Sequence, residues 1–254
     1  MLVDYHIHTL GHERFYRDAD AIAAYFKTAL QRGVTEIGCA DHDYYYSEFD
    51  PERVGAVAGR FPELTVRVGV EVDYAPDREE EIRSFLSHQC LDFVIGSVHT
   101  VDGFSFDIEE ELPRYATWET TALFRRYYAC VARAAESGLF DVIGHLDLIK
   151  IFNFVPAEDM LALAEPALAS IRSAGACVEL NTNGFYKPAH EFYPTPALLK
   201  RCCELGIALT LGSDAHRPDQ AGRDIAAAAA LARRAGYKEV ATFRGRRRTL
   251  VLLG

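Results

Sequence analysis

The 254-residue sequence lacks any Cys-x-x-Cys pair, and it lacks an apolar run long enough to cross a membrane. Its six cysteines are spread through predicted strands and helices, so we expect small buried apolar side chains in a reducing compartment. The alanine-rich segment at residues 225–232 is short and lies between arginines, and no charged leader follows Met1. We therefore expect no signal peptide, no membrane partner and a cytoplasmic location.

Basic residues are outnumbered in this chain. The sequence has 27 Lys and Arg against 37 Asp and Glu, a formal net charge of -10 at pH 7. Nucleic-acid binding proteins draw their affinity from Lys and Arg contacts with phosphate, so we expect no nucleic-acid partner. The one basic run, residues 244–248, adjoins the final apolar stretch. We interpret it as a solvated turn between two strands.

Short β-branched runs alternate with longer Ala- and Leu-rich amphipathic stretches, a pattern typical of βα units around a parallel sheet. Four of the amphipathic stretches end directly before a glycine that can stop a helix: residues 18–32, 117–137, 156–174 and 195–205. Strands are predicted at residues 2–7, 34–41, 65–72, 92–98, 140–145, 176–181 and 207–213, with a further candidate at 240–243. No linker or repeat interrupts the series, so we expect one domain over residues 1–254.

Polar residues at the strand ends favour a barrel over an open sheet. Each predicted strand finishes in residues that bind metals or transfer protons, in segments such as HIHT, GCADH, GVEVD, GSVHT, IGHLD, VELN and GSDAH. In a closed barrel these ends converge on one mouth, where barrel enzymes keep their active sites. In a doubly wound sheet they would be spread along an edge. The α/β class with a barrel architecture is therefore predicted.

His6 and His8 are one residue apart in a predicted strand, so both rings face the same side. Six of the nine histidines lie at predicted strand ends, where packing alone would favour Val and Ile, and His12 follows closely. His88 and His190 are interpreted as surface or structural residues. Imidazole together with carboxylate suits Zn, Fe or Mn better than Mg or Ca. The pattern therefore predicts a transition-metal site.

The segments DYHIHT, GVEVDY, IGSVHTVDGFSFD, IGHLDLIK, ELNTNGFYKPAHEFYP and LTLGSDAH together resemble the polymerase-and-histidinol-phosphatase (PHP) superfamily. Within it, the sequence is most similar to the PHP-type histidinol-phosphate phosphatases. The resemblance implies a distorted (β/α)7 TIM-like barrel with three divalent ions at the carboxyl ends of the strands. It also implies hydrolysis of L-histidinol phosphate to L-histidinol and phosphate.

The resemblance also implies a ligand set for each ion. The first ion would take His6, His8, Glu71 and Asp214. The second would share Glu71 and add His99 and His145. The third would take His12, His42 and His216, although the segment around His12, TLGHERFYR, departs from the cysteine-containing segment usual in the phosphatase branch.

In the implied mechanism, ions activate a water that attacks phosphorus in line. We expect Asp214 and His216 to be the catalytic residues, with Asp214 taking or returning a proton. Phosphate needs cationic partners, and we expect them from Lys150, Lys187 or an arginine of residues 244–248. The phosphatase branch tends to have arginine near the two lysine positions, which leaves the substrate open.

For the amine and imidazole end of the substrate, the sequence offers Asp43, the adjoining tyrosines 44–46 and Asp107. His42 and Asn181 complete the expected substrate-binding residues. The tyrosines could equally pack on the barrel rim. Two other functions stay open: a PHP phosphoesterase for another small phosphate, such as a nucleotide or sugar phosphate, and a non-catalytic metal-binding regulatory domain. The sequence leaves the oligomeric state undetermined.

Overall fold

Seven parallel strands with flanking helices form a nearly closed barrel in the computed structural model, which describes residues 1–10 and 18–254. The strands in chain order are β1 (Val3–Ile7), β2 (Glu36–Cys39), β3 (Thr65–Asp73), β4 (Phe93–Ser97), β5 (Thr100–Val101), β6 (Phe104–Ser105), β7 (Val142–Ile143), β8 (Cys177–Asn181), β9 (Leu209–Gly212), β10 (Glu239–Arg244) and β11 (Arg247–Leu252). The helices are α1 (Ala19–Gln31), α2 (Pro51–Ala58), α3 (Glu79–Ser87), α4 (Thr120–Glu136), α5 (Met160–Ala174), α6 (Pro196–Glu204) and α7 (Ile225–Ala235). The predicted distorted TIM-like barrel is confirmed.

Local sequence accounts for the helix boundaries. Asp18 caps α1 by accepting hydrogen bonds from the amides of Asp20 and Ala21, and Asp159 caps α5. Gly175 ends α5 in the left-handed conformation, with φ of 69°. The predicted start of α5 at residue 156 was four residues early, because Asp159, and not Pro156, supplies the cap.

The barrel sheet has the order β1-β2-β3-β4-β7-β8-β9. Its ends meet at the mouth, where the amide of His8 donates to the carbonyl of Ala215 (2.8 Å) and the amide of Ala215 donates to the carbonyl of His6 (3.2 Å). The fully buried Asp4 strengthens this junction, since its carboxylate accepts from the amide and hydroxyl of Ser213. Closure therefore brings the end of β1 beside the segment that follows β9.

The interior at the opposite end of the barrel is filled by aromatic rings. Phe93 at the start of β4 lies edge-on to Tyr5, with ring centroids 4.9 Å apart, and it also packs near Phe243. Gly38 and Gly69 make room for this ring, because a Cβ at either position would lie within 2.6 Å of a Phe93 carbon. The core of the barrel is therefore solid beneath the mouth.

The predicted last strand exists but does not extend the barrel. β10 pairs with β11 as an antiparallel hairpin, and the basic run forms its turn, as expected. Arg246 binds the Asp141 carboxylate and the Leu139 carbonyl just before β7, and Arg248 donates to the Gly175 carbonyl just before β8. These partners precede their strands, so the run lies at the end of the barrel away from the mouth. The expectation that an arginine of this run contacts phosphate is wrong.

Four of the six cysteines are buried, as predicted. Cys90 is exposed and Cys203 is half-buried, so the prediction fails at those two positions. Within the described ranges, no helix is long and apolar enough to span a bilayer.

Candidate active site

The residues that follow the barrel strands come together at the mouth. β1 carries His6 and ends before His8, and β3 carries Glu71. The remaining residues of this cluster lie within four residues of the end of their strands: His42, His99, His145, Asp214 and His216. Because parallel strands in a barrel share one direction, their carboxyl ends meet at one place. The structure thus brings together eight of the nine expected metal ligands, and His12 lies outside the described residues.

Glu71 is the centre of the cluster. One carboxylate oxygen, Oε2, lies 3.3 Å from His6 Nε2, 3.5 Å from His8 Nε2 and 3.0 Å from His42 Nδ1. The other, Oε1, lies 3.0 Å from His145 Nε2 and 3.7 Å from His99 Nε2. The carboxylate is therefore placed to bridge two ions.

Asp214 is the second carboxylate that contacts His8. Its Oδ1 lies 3.4 Å from His8 Nε2 and 3.5 Å from His216 Nδ1. The rings of His8 and His216 stack with centroids 4.0 Å apart. Asp214 has a φ of 52°, in the left-handed region that a β-strand residue does not occupy. This turn of the backbone at the end of β9 sets Asp214 and His216 on the same cluster.

Three groups of side chains within the described ranges have the spacing of metal sites. In each group the ligand atoms lie within 4.8 Å of one another. The groups are His6, His8 and Glu71; Glu71, His99 and His145; and His8, His42 and His216. Two donors on one tetrahedral zinc ion are about 3.4 Å apart, which is close to the distances around Glu71. The grouping differs from the expected sets in two ways: Asp214 is not part of the first group, and His8 also joins the third group, whose expected member His12 lies outside the described residues.

Several ring nitrogens of this cluster are buried without a hydrogen-bond partner in the described part of the chain. They include His6 Nε2, both nitrogens of His8 and His145 Nδ1. A buried imidazole nitrogen without a partner is costly, and a divalent ion would satisfy it. The donor set of imidazole and carboxylate thus fits a divalent transition metal.

Electrostatics in the cluster also favour cations. Burial by itself would lower the pKa of His6, but the carboxylates of Glu179 and Glu71 outweigh it and raise that pKa well above its usual value. Burial would raise the pKa of Glu71, yet the neighbouring histidines hold it well below its usual range. Burial and the nearby His42 lower the pKa of His8 to about 3. Because the carboxylates stay ionised, positive charge is favoured at this point, and metal binding would release the ring protons.

Two further carboxylates contact histidine rings of the cluster, and the sequence interpretation missed both contacts. Glu179 Oε1 lies 2.7 Å from His6 Nδ1, and Asp73 Oδ1 lies 2.6 Å from His99 Nδ1. The signal was present in the motif GVEVD, because Asp73 is two residues after Glu71 and therefore faces the same side of the strand. Carboxylate–histidine pairs of this kind orient the ring for a metal.

A cavity of about 400 Å³ opens above the cluster, a size that suits a small metabolite. Its metal-side wall includes Glu71, Asp73, Asp214 and several histidines of the cluster. The rest of its wall is formed by Tyr44, Thr100, Ser105, Asp107, Ile108, Leu148, Ile151, Asn183, Lys187 and Tyr193. A polar metal-binding floor therefore faces a partly apolar wall with one acidic and one basic side chain.

Of the expected substrate-binding residues, His42, Asp107 and Lys187 line this cavity. Asp43 does not, because its carboxylate is bound to the guanidinium of Arg78 at 2.8 Å. Asn181 is fully buried behind the wall and donates to Glu179 and Asp214. Among the tyrosines, Tyr44 lines the cavity and stacks on His42, whereas Tyr46 packs on Phe49 and Phe85 at the rim.

Lys150 does not reach the phosphate position that the sequence suggested. It is buried, and its ammonium contacts Asp147 (3.1 Å), Glu191 (2.8 Å) and the carbonyl of Phe192 (3.0 Å). These contacts occupy all three of its donors. Lys150 is therefore a structural residue that links the segment after β7 to the segment before α6.

The positions of the two lysines predict that replacing Lys150 lowers stability, whereas replacing Lys187 weakens substrate binding. Lys150→Ala leaves the buried Asp147 carboxylate without its cationic partner, so we expect a loss of about 3 kcal/mol in the free energy of unfolding. Lys187→Ala, at an exposed side chain, should leave stability unchanged and raise KM for the phosphate ester. Urea denaturation and steady-state kinetics on both variants measure the two effects. A stable Lys150→Ala protein with a raised KM would reverse the assignment.

Comparison with protein families gives a match to the PHP domain over residues 4–183, about seven-tenths of the chain. A protein of Deinococcus radiodurans named "probable histidinol-phosphatase" is 36% identical over 97% of this chain and 98% of its own length. The chain belongs to the PHP family. A second PHP relative, the histidinol-phosphatase of Lactococcus lactis, is 27% identical over 96% of this chain and 94% of its own.

Solved structures have the same PHP fold. A crystal structure of histidinol phosphate phosphatase from Lactococcus lactis, with zinc, L-histidinol and phosphate bound, superposes with a TM-score of 0.77. It is 23% identical and covers 98% of both chains. A structure from Listeria monocytogenes named "putative histidinol phosphatase" has a TM-score of 0.76 at 20% identity and covers 89% of this chain and 99% of its own.

Proposed function

We propose that this PHP protein is a metal-dependent phosphomonoesterase that hydrolyses L-histidinol phosphate to L-histidinol and phosphate. The observation that carries the proposal is the cavity in which a cluster of metal-ligand side chains faces Asp107 and Lys187. Its relative in Deinococcus radiodurans, which matches nearly the whole chain and bears the name of this activity, supports it.

The proposed metal complement is three divalent ions of Zn, Fe or Mn. The proposed ligands within the described residues are His6, His8, Glu71, Asp214, His99, His145, His42 and His216, and His12 is proposed as a further ligand of the third ion. When bound, the ions supply a polarised phosphoryl group and a water of lowered pKa. The positive charge of the ions would exceed the negative charge of the ligand carboxylates. The site would therefore attract a phosphate dianion despite the acidic composition of the chain.

The chain's own residues position the phosphate and handle the proton. Asp214 lines the cavity and accepts hydrogen bonds from Asn181 and Asn183 at its Oδ2, both at 3.3 Å. These amides hold the carboxylate on the metal-side wall of the cavity, where the phosphate would bind. There it can take the proton of the attacking water and return it to the leaving alcohol. His216 stacks beside it, and Lys187 is placed to contact the phosphate oxygens.

The opposite part of the cavity suits the rest of the substrate. Ile108, Leu148 and Ile151 provide an apolar surface for the imidazole, and the half-buried Asp107 provides a carboxylate for the ammonium group. A charge-assisted hydrogen bond of this kind is stronger than a neutral one. The cavity thus offers complementary charge at both ends of an amino alcohol phosphate.

Substrate selectivity tests the proposal. We expect kcat/KM for L-histidinol phosphate to exceed that for p-nitrophenyl phosphate, which lacks the amine, by about a hundredfold or more. Asp107→Asn should lower the ratio of these two kcat/KM values and leave p-nitrophenyl phosphate hydrolysis largely intact. Asp102→Asn is the matched control, because this exposed aspartate in the turn between β5 and β6, a few residues before Asp107, pairs with Arg126 and should leave the ratio of the two kcat/KM values unchanged.

Steady-state kinetics on the three proteins separates the alternatives. Equal rates on the two esters would reject L-histidinol phosphate and keep a general phosphoesterase. A clear preference for a nucleotide or sugar phosphate would assign another substrate. No hydrolysis of any ester by a metal-loaded protein would favour a regulatory domain.

A further inference from the structure

Glu179 in β8 is a fully enclosed carboxylate that contacts the ligand cluster without belonging to any of its three groups. Its Oε1 lies 2.7 Å from His6 Nδ1. Its Oε2 accepts from the backbone amide of His145 at 2.9 Å and from the side-chain amide of Asn181 at 3.1 Å. Both oxygens are therefore used as acceptors.

These contacts link Glu179 to ligands on three different elements. His6 lies on β1, His145 follows β7, and Asn181 passes a second hydrogen bond to Asp214 after β9. In the grouping described above, His6 and His145 belong to different groups that share Glu71. One buried side chain thus connects the surroundings of two metal positions.

The neighbouring strand leaves space for this carboxylate. A Cβ on Gly212, at the end of β9, would lie 1.9 Å from Glu179 Oε1 and 2.7 Å from the Cβ of His6. A distance of that kind is far inside van der Waals contact, so any side chain here would displace the carboxylate. The glycine is therefore required by the close approach of Glu179 and His6.

We propose that Glu179 is a positioning residue that holds the His6 ring with Nδ1–H donated to Oε1 and Nε2 turned toward Glu71, where an ion would bind. The proposal rests on the metal site of the proposed function. Nε2 lies 3.3 Å from Glu71 Oε2, so the fixed tautomer presents its lone pair to the shared carboxylate side. The same carboxylate also accepts the backbone amide of His145, and so it fixes the backbone at a residue of the second group.

Glu179→Gln tests this role with almost no change in shape. A carboxylate accepts on both oxygens, whereas an amide offers one acceptor and one NH₂ group. The NH₂ group would face either the His6 N–H or the donors of His145 and Asn181, so one of these contacts must break. We expect affinity for the first ion to fall about tenfold to a hundredfold. Zinc content after dialysis against graded chelator concentrations measures this loss without any substrate.

Glu36→Gln is the matched control. Glu36 is also a buried carboxylate, but it binds the Tyr5 hydroxyl and the Arg67 guanidinium at the far end of the barrel. It should retain zinc like the native chain even if its melting temperature falls. Glu179→Asp keeps the charge but withdraws the carboxylate by about 1.5 Å, one carbon–carbon bond, and should also lose zinc.

Each outcome decides the proposal. Native zinc retention by folded Glu179→Gln overturns it, and if that variant fails to fold, native retention by Glu179→Asp overturns it instead. Loss of one zinc equivalent in the Glu179 variants alone supports it. A native chain that retains zinc but does not hydrolyse L-histidinol phosphate would reject the proposed function and leave this proposal standing.

Discussion

Removal of the divalent ions is expected to lower the rate of L-histidinol phosphate hydrolysis by more than about a thousandfold, because metal ions supply several kcal/mol of transition-state stabilisation. Among the described residues, protonated histidines such as His6 supply positive charge when the ions are absent, but an imidazolium neither polarises a phosphoryl oxygen nor lowers the pKa of a bound water as a metal ion does. Lys187 is the lysine on the cavity wall, and Lys150 is held by Asp147 and Glu191.

The measurement combines metal analysis with kinetics. The protein should purify with two to three equivalents of Zn, Fe or Mn, lose activity on chelation, and regain it when one of these ions is added back. Circular dichroism before and after chelation controls for unfolding. A preparation that is free of transition metal and fully active would contradict the proposed chemistry.

His99→Ala is expected to remove the ion held by Glu71, His99 and His145 and to lower kcat about a hundredfold or more. The His99 ring is fixed on both sides, by Asp73 at Nδ1 (2.6 Å) and by its Nε2 contact with His145 Nε2 (3.3 Å). A neutral methyl group offers no metal ligand and removes one of the two histidine contacts of Asp73.

His88→Ala provides the control for this variant. His88 is exposed at the end of α3, and its hydrogen bonds within the described residues are local, to the Ser84 carbonyl and the Ser87 hydroxyl. It should retain the metal content and the kcat of the native chain. If His99→Ala also kept its metal and a near-native kcat, the second ion position would be wrong.

The strand ends could be predicted because each one combines an apolar run with a terminal histidine or carboxylate. Parallel topology then requires that Glu71 and His145, 74 residues apart, lie together. The architecture and the described metal cluster followed from that argument. The family resemblance added the division of the ligands among three ions.

Contacts between distant loops could not be predicted in the same way. Lys150 follows a strand-end motif, and nothing local indicates that Glu191, 41 residues later, binds its ammonium. In the same way, nothing local indicates that the guanidinium of Arg78, 35 residues after Asp43, binds the Asp43 carboxylate and keeps it out of the cavity wall. The end of the barrel at which residues 244–248 lie depends on a hairpin outside the barrel sheet. Sequence periodicity does not reveal the placement of that hairpin.

The aromatic filling beneath the mouth determines the route of the products. Phe93, Tyr5 and Phe243 occupy the interior below the ligand cluster, so the described barrel gives no passage through its far end. The alcohol and the inorganic phosphate must both leave by the opening through which the ester entered. Whichever product remains on the metal side then occupies the place of the next ester, so we expect inorganic phosphate to compete with the ester for the site.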